Sequence, residues 1–175
     1  MFQEILKNYI DAFFKVYEED GKSLPKLPYD EDEPSSLYVG EIDEEGWIEW
    51  QYVPVDRILD FSELEEEYAI HLSEELKEYY NSFYFLELCG FWNNKCIMLD
   101  KIDAATDVLD DFRSVLNEQE DMIEIGSMDS YASVFVKFVS GRVVLYDWEF
   151  EEEAVLADSL SEFFTKLKVR MDQVE

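Results

Sequence analysis

The sequence predicts an α+β fold in which antiparallel β-hairpins form one sheet flanked by N-terminal, central and C-terminal helices. Three observations predict it. Amphipathic helical repeats occur at both ends and in the middle of the chain. Strand-like runs joined by turn residues follow one another, without the strand–helix alternation of a parallel α/β fold. Apolar residues make up 47% of the chain and aromatic residues 16%, which supplies a core and argues against acidic disorder. At 175 residues the chain fits one domain, 1–175. A domain of this size buries about 70% of the surface its unfolded chain exposes.

Each element has its own signal. Phe2, Ile5, Leu6, Tyr9, Phe13, Val16 and Tyr17 recur at spacings that make one apolar stripe, predicting a first helix that stops at Gly21. Pro25, Pro28 and Pro34 predict an ordered loop carrying the acidic run Asp30 to Glu33. Leu37 to Ile42 and Trp47 to Val53 predict a hairpin around Asp43-Glu44-Glu45-Gly46. Trp47 and Trp50 stand an odd number of residues apart, so a regular strand points them to opposite faces.

Ser62-x-x-Glu65 predicts a capping box opening a short acidic helix. Ser73 to Phe83 predicts another helix with Leu76, Tyr79, Tyr80 and Phe83 on one face. Tyr84 to Trp92 and Lys95 to Leu99 predict a hairpin around Asn93-Asn94. Val108, Leu109, Phe112 and Leu116 support a helix over Asp103 to Glu118. Tyr131 to Val139 and Arg142 to Trp148 predict a hairpin turning at Ser140-Gly141, with Val134, Val136 and Phe138 on one face. Ser159-x-x-Glu162 predicts a second capping box before a closing helix with Leu160, Phe163, Phe164, Leu167 and Met171.

Charge narrows the function. Forty-three acidic against 14 basic residues give a formal net charge of −29. Such a chain repels phosphate backbones and anionic lipid surfaces, which argues against direct binding of nucleic acid or lipid, and it attracts basic proteins. No run of 18 apolar residues is present, and MFQEILKNYI lacks the pattern of a signal peptide, so the expected compartment is the cytoplasm. Cys89 and Cys96 are then expected to be reduced, small apolar residues.

Catalytic signals are sparse. His71 is the one histidine, the six glycines are scattered singly, and no nucleophile elbow, phosphate loop or zinc-protease motif occurs. Cys89 and Cys96 lack the spacing and the second pair of a zinc site, and the Asp30 to Pro34 run lacks the glycine and glutamate of a calcium loop. No catalytic residue, metal or cofactor is therefore assigned. A hydrolase using a carboxylate pair is the alternative of a different class, marked by two carboxylates converging in a pocket with one pKa raised. A nucleic-acid mimic, marked by regular carboxylate spacing along an elongated face, is a third.

Several short segments occur in a set order: the aromatic-rich first helix leading into Lys22-Ser23-x-Pro25, then Pro34-Ser35, then Trp50-Gln51. Asp110-Asp111-Phe112-Arg113 with Val115, Ser140-Gly141 before Val143, and Leu156-Ala157-x-x-Leu160-x-Glu162-Phe163 follow. In their order and spacing these segments resemble the Syd family of the SUKH superfamily nearly end to end. Family members tend to carry Trp-Gln-Pro where this chain has Trp50-Gln51-Tyr52, with Pro54 displaced, and the spacing differs over Val53 to Asp60. The resemblance implies a non-enzymatic α+β domain that docks on a basic protein. One such partner is a toxin domain, neutralised by an immunity protein. The other is the set of basic cytoplasmic loops of the SecY translocon, which would bring the domain to the inner face of the membrane.

Charge and resemblance together nominate contact residues: Asp30, Glu31, Asp32, Glu33, Asp43, Glu44, Glu45 and the exposed tryptophan Trp47. Glu18, Glu19 and Asp20, just before the same loop, are expected to extend that surface.

Overall fold

Helix α1 (Phe2–Gly21) opens the computed structural model, which describes residues 1–172. Its Phe2, Leu6, Tyr9, Ile10 and Phe13 are buried along one face, as the helical repeat dictates. The helix ends at Gly21 as expected, and Lys22 after it takes the left-handed conformation, with φ of 53°.

The proline-bearing stretch expected to be loop contains a short strand, β1 (Lys26–Pro28). Pro28 is tolerated because β1 lies at the edge of its sheet and ends there. β1 flanks β3 (Trp47–Trp50) on one side and β2 (Tyr38–Val39) on the other, all antiparallel, with Leu27 opposite Ile48 and Tyr38 opposite Trp50. The expected hairpin is therefore present but trimmed. Its second strand stops at Trp50, and Val53–Pro54 (β4) instead pairs with Phe83–Tyr84 (β5), at the end of the following helix. Trp47 and Trp50 do face opposite ways: Trp47 is 40% exposed and Trp50 0%.

Six more strands form one antiparallel sheet in sequential order: β6 (Leu88–Trp92), β7 (Lys95–Leu99), β8 (Met122–Met128), β9 (Ala132–Lys137), β10 (Val143–Asp147) and β11 (Glu152–Ala157). The β6–β7 turn is the expected pair Asn93-Asn94, with φ of 48° and 60°, the twist that a two-residue hairpin needs. Strands β8 and β11 were not expected. A register shift between Glu124 and Gly126 breaks the alternation of β8, and most of β11 is exposed and shows no apolar face to read. The α+β class holds, while the hairpins are shared among three sheets where one was expected.

Four helices join these strands: α2 (Ser62–Glu67), α3 (Glu74–Ser82), α4 (Val108–Asn117) and α5 (Leu160–Lys166). The capping box expected at Ser62 does not form. Ser62 donates its backbone N–H to Asp60, and Glu65 turns instead to the N–H of Leu72. Helix α4 starts later than Asp103, because Asp103 closes a local turn with Thr106 and Asp107 serves as the cap. At α5 the Ser159 hydroxyl does accept from the Glu162 N–H, and the returning Glu162 carboxylate takes the N–H of Asp158. Helix α5 ends at Lys166, because Lys168 enters a bridge with Phe91; Met171, expected on its apolar face, is exposed.

One contiguous core joins all of this. Leu88, Ile97, Val134, Val136 and Val143 share one face of the six-stranded sheet and belong to a core with Tyr9, Tyr79 and Phe164 from α1, α3 and α5. Gly90 allows that approach: a Cβ there would stand 2.3 Å from the Tyr9 hydroxyl and 2.6 Å from Leu167. Cys89 and Cys96 are free and half-buried on neighbouring strands, and burial pushes the Cys89 thiol up to about 11, leaving it a poor nucleophile.

Candidate functional site

The three-stranded sheet decides where the acidic loops meet. Because β1 and β3 run antiparallel with Pro28 opposite Trp47, the chain leaving β1 and the turn entering β3 lie at the same end. The Tyr29 N–H donates to the Gly46 carbonyl at 2.9 Å and fastens the Asp30–Glu33 loop to the Asp43–Gly46 turn. Both segments are held by their own aspartates. Asp30 accepts from the N–H groups of Asp32 and Glu33 at 2.9 and 3.3 Å. Asp43 accepts from Glu45 and Trp47 at 3.0 and 2.9 Å, and Gly46 supplies the positive φ of 84° that closes the turn. The Trp47 N–H, joined by Lys26 at 3.1 Å, holds the Asp43 carboxyl below the usual carboxylate range.

The acidic residues of this end divide into two kinds. Asp30 and Asp43 are occupied in turn geometry, and Glu33 pairs with Lys101 at 3.2 Å. Glu31, Asp32, Glu44 and Glu45 are exposed and make no ion pair among the described residues. Trp47 stands beside them. An apolar plate next to uncompensated carboxylates has the composition of an anchor and its charged rim.

Glu18, Glu19 and Asp20 sit elsewhere. They form the last turn of α1, which the chain leaves through Lys22 to reach the Pro25–Lys26 end of β1, opposite the end where the two loops meet. Arg170 clasps Asp20 at 2.9 Å and Glu19 at 3.4 Å, and Lys15 lies 3.7 Å from Glu19. The structure thus gathers Asp30–Glu33, Asp43–Glu45 and Trp47, and leaves Glu18–Asp20 apart and largely neutralised.

A groove of about 410 Å³ continues from the acidic end. It runs between Leu27, Pro28 and Tyr38 of the small sheet and Met98 to Asp103, with Asp30, Glu33, Glu87 and Asp100 on its walls. Beyond Asp100 and Lys101, a second cavity of about 310 Å³ opens between α4 and β8. Asp100, Asp111 and Glu124 stand around it, and Tyr79 and Tyr80 line it. Burial raises all three carboxyls above their ordinary range, with Asp107 and Asp110 adding to the effect at Asp111 and Asp100 adding to it at Glu124. Spacing in the sequence does not bring these residues together: Asp100 and Glu124 are single acids outside the acidic runs, and Asp111 belongs to the Asp110-Asp111 pair, which signals only a helix start. The one weak signal is Ile123-Glu124-Ile125, an acid in a strand of isoleucines.

Among the described residues, no group of three or more histidine, cysteine, aspartate and glutamate side chains is placed to hold a metal ion. His71 is exposed, 3.6 Å from Glu65 and 3.9 Å from Glu74, away from both cavities. No described helix is long and apolar enough to cross a membrane.

Against known families, the model described as Syd protein (SUKH-2) matches residues 3–109, more than half of the 175. The chain belongs to the Syd family, SUKH-2. Curated proteins yield no match. The matched span includes every acidic run gathered at the small sheet, whereas Asp110 to Arg113, Ser140-Gly141 and Leu156 to Phe163 lie beyond it. Membership in this family supports a protein-binding role of the Syd kind.

Proposed function

We propose that this Syd-family chain forms a single acidic domain over residues 1–175 that docks on a basic protein surface, as an immunity protein that neutralises a bacterial toxin. It acts in the cytoplasm, and reaches the inner face of the membrane only through a protein partner. The supporting observation is the pairing of Pro28 with Trp47, which brings Glu31, Asp32, Glu44 and Glu45, unpaired, around an exposed tryptophan. Uncompensated charge on one end steers a basic partner in, and the indole supplies apolar area once contact is made. Association with basic cytoplasmic loops of SecY uses the same physics and is the alternative partner.

The experiment is co-expression with any secreted toxin domain that a neighbouring reading frame proves to encode. Rescue of growth by the wild type, and its loss in a Glu31→Lys/Asp32→Lys/Glu44→Lys/Glu45→Lys variant, is the expected result. Failure of the wild type to rescue, together with salt-sensitive capture of SecY in nanodiscs, would move the reading to the translocon.

A specific observation also speaks for the hydrolase reading: carboxyls with raised pKa line a cavity. Catalysis requires those groups to be held in a productive geometry. Burial alone raises Asp100, burial with the charges of Asp107 and Asp110 raises Asp111, and among the described residues no side-chain hydrogen bond orients either, whereas Glu124 is bonded to Ser133. Docking therefore fits them better than turnover.

A further inference from the structure

The cavity between α4 and β8 needs an occupant of its own. β7 ends at Leu99 and Asp100 still donates its N–H to the Ile125 carbonyl of β8 at 2.9 Å, but β8 continues back to Met122 while Ile102 turns away to bridge with Phe85, which leaves a hole in the sheet's flank. Helix α4 walls one side of that hole with Asp111, Ser114 and Val115, and Ile102, Ile123 and Ile125 make it apolar within. Tyr79 lines it at 1% exposure, and its hydroxyl is buried without a hydrogen-bond partner. A buried hydroxyl left unpaired costs about 1–3 kcal/mol, so a fold retains one mainly where something else supplies the partner.

The charge at the mouth identifies that partner. Asp100, Asp111 and Glu124 come from three separate elements, and they do not converge on one point as metal ligands would. Lys101, the cation on this rim, extends its amine to Glu33 and leaves the three carboxylates uncompensated. A spread of acceptors around an apolar slot with aromatic walls matches a long side chain carrying a delocalised positive charge. At about 310 Å³ the cavity lies at the small end of ligand pockets, too small for a folded segment.

We infer that the cavity bounded by Tyr79, Tyr80, Asp100, Asp111 and Glu124 is a socket for one cationic side chain, arginine by geometry, of the basic partner. This rests on the docking reading above and adds to it the feature that selects among basic partners. The acidic loops around Trp47 raise the encounter rate, whereas the socket rewards the one partner that presents an arginine at the right distance along the groove.

The test is isoleucine-methyl NMR on the whole chain titrated with N-acetylarginine amide, with N-acetylcitrulline amide as its neutral isostere. The arginine compound should shift Ile102, Ile123 and Ile125 selectively and the citrulline compound should not. Asp100→Asn with Glu124→Gln should weaken the response about tenfold, the loss of roughly one charge-assisted contact. Tyr79→Phe, which removes the partnerless hydroxyl without disturbing packing, should weaken it as well. The Glu31→Lys/Asp32→Lys/Glu44→Lys/Glu45→Lys variant should keep it. Equal shifts from both compounds, or arginine shifts spread over the acidic loops with none at these methyls, would overturn the socket. If the methyls stay silent while a basic protein still binds, the socket fails and the docking reading stands. If they respond while no basic protein binds, the docking reading fails.

Discussion

Two acidic regions of this molecule look alike in composition and differ in what surrounds them. Glu18-Glu19-Asp20 closes α1, where it faces the negative end of the helix dipole, and Arg170 and Lys15 answer it. Glu31-Asp32 and Glu44-Glu45 sit on two loops drawn together by one strand pairing, with an exposed tryptophan alongside; among the described residues they make no ion pair, the nearby Lys101 and Lys26 being taken by Glu33 and Asp43. The first region is structural neutralisation of a crowded helix end. The second is charge that the fold leaves unpaired. The difference teaches that in a chain with 43 acidic residues, the informative acid is the one the fold declines to pair.

The largest effect should come from breaking the frame that separates the two regions. Trp50→Ala removes a side chain that is 0% exposed and packs edge-on against Phe14 at 5.1 Å, so stability should fall by about 3–5 kcal/mol in denaturant unfolding. Next, reversing Glu31, Asp32, Glu44 and Glu45 to lysine should slow association with a basic partner by about 100-fold at low salt, with unfolding unchanged. The same reversal at Glu18, Glu19 and Asp20 should slow it far less; equal losses would erase the comparison. Trp47→Ala should speed dissociation by roughly 30-fold, for an anchor worth about 2 kcal/mol, and leave stability nearly intact. Arg170→Ala should leave the unfolding midpoint nearly unchanged, because its ion pairs are exposed.

Acid supplies a further contrast. Asp43 lies below its ordinary pKa because the Trp47 N–H favours the carboxylate. Its contribution to the turn is present above the unfolded aspartate pKa and is lost as pH falls through the lower folded value. Protection of the Glu45 and Trp47 amides, relative to intrinsic exchange at the same pH, should therefore fall on acidification, after ordinary carboxyls have already titrated. Protection lost together with the ordinary carboxyls would show that the turn does not depend on this carboxylate.

Much of the frame was legible because it rests on local signals. The stripe from Phe2 to Phe13, the Asn93-Asn94 turn, the Ser159 cap and the opposed tryptophans all follow from neighbours within a few residues. What escaped depends on distant contacts or on broken periodicity. β1 exists only because Trp47–Trp50 is there to pair with it, β11 has no buried stripe, and β8 carries a register shift at Glu124. That the two acidic loops lie at one end was readable, since the turn between β2 and β3 was readable. The separation of Glu18–Asp20 was not, because Arg170 lies 150 residues away in sequence. Asp100, Asp111 and Glu124 come together only through three-dimensional packing, which no spacing in the sequence reports.

The most direct test is the association rate with a basic protein partner, measured across ionic strengths for the wild type and the Glu31→Lys/Asp32→Lys/Glu44→Lys/Glu45→Lys variant. The wild-type association rate should fall at least tenfold from low to high salt while dissociation changes little, and the variant should show a much flatter dependence. A wild-type association rate indifferent to salt, or a variant with the same slope, would contradict recognition through this acidic end.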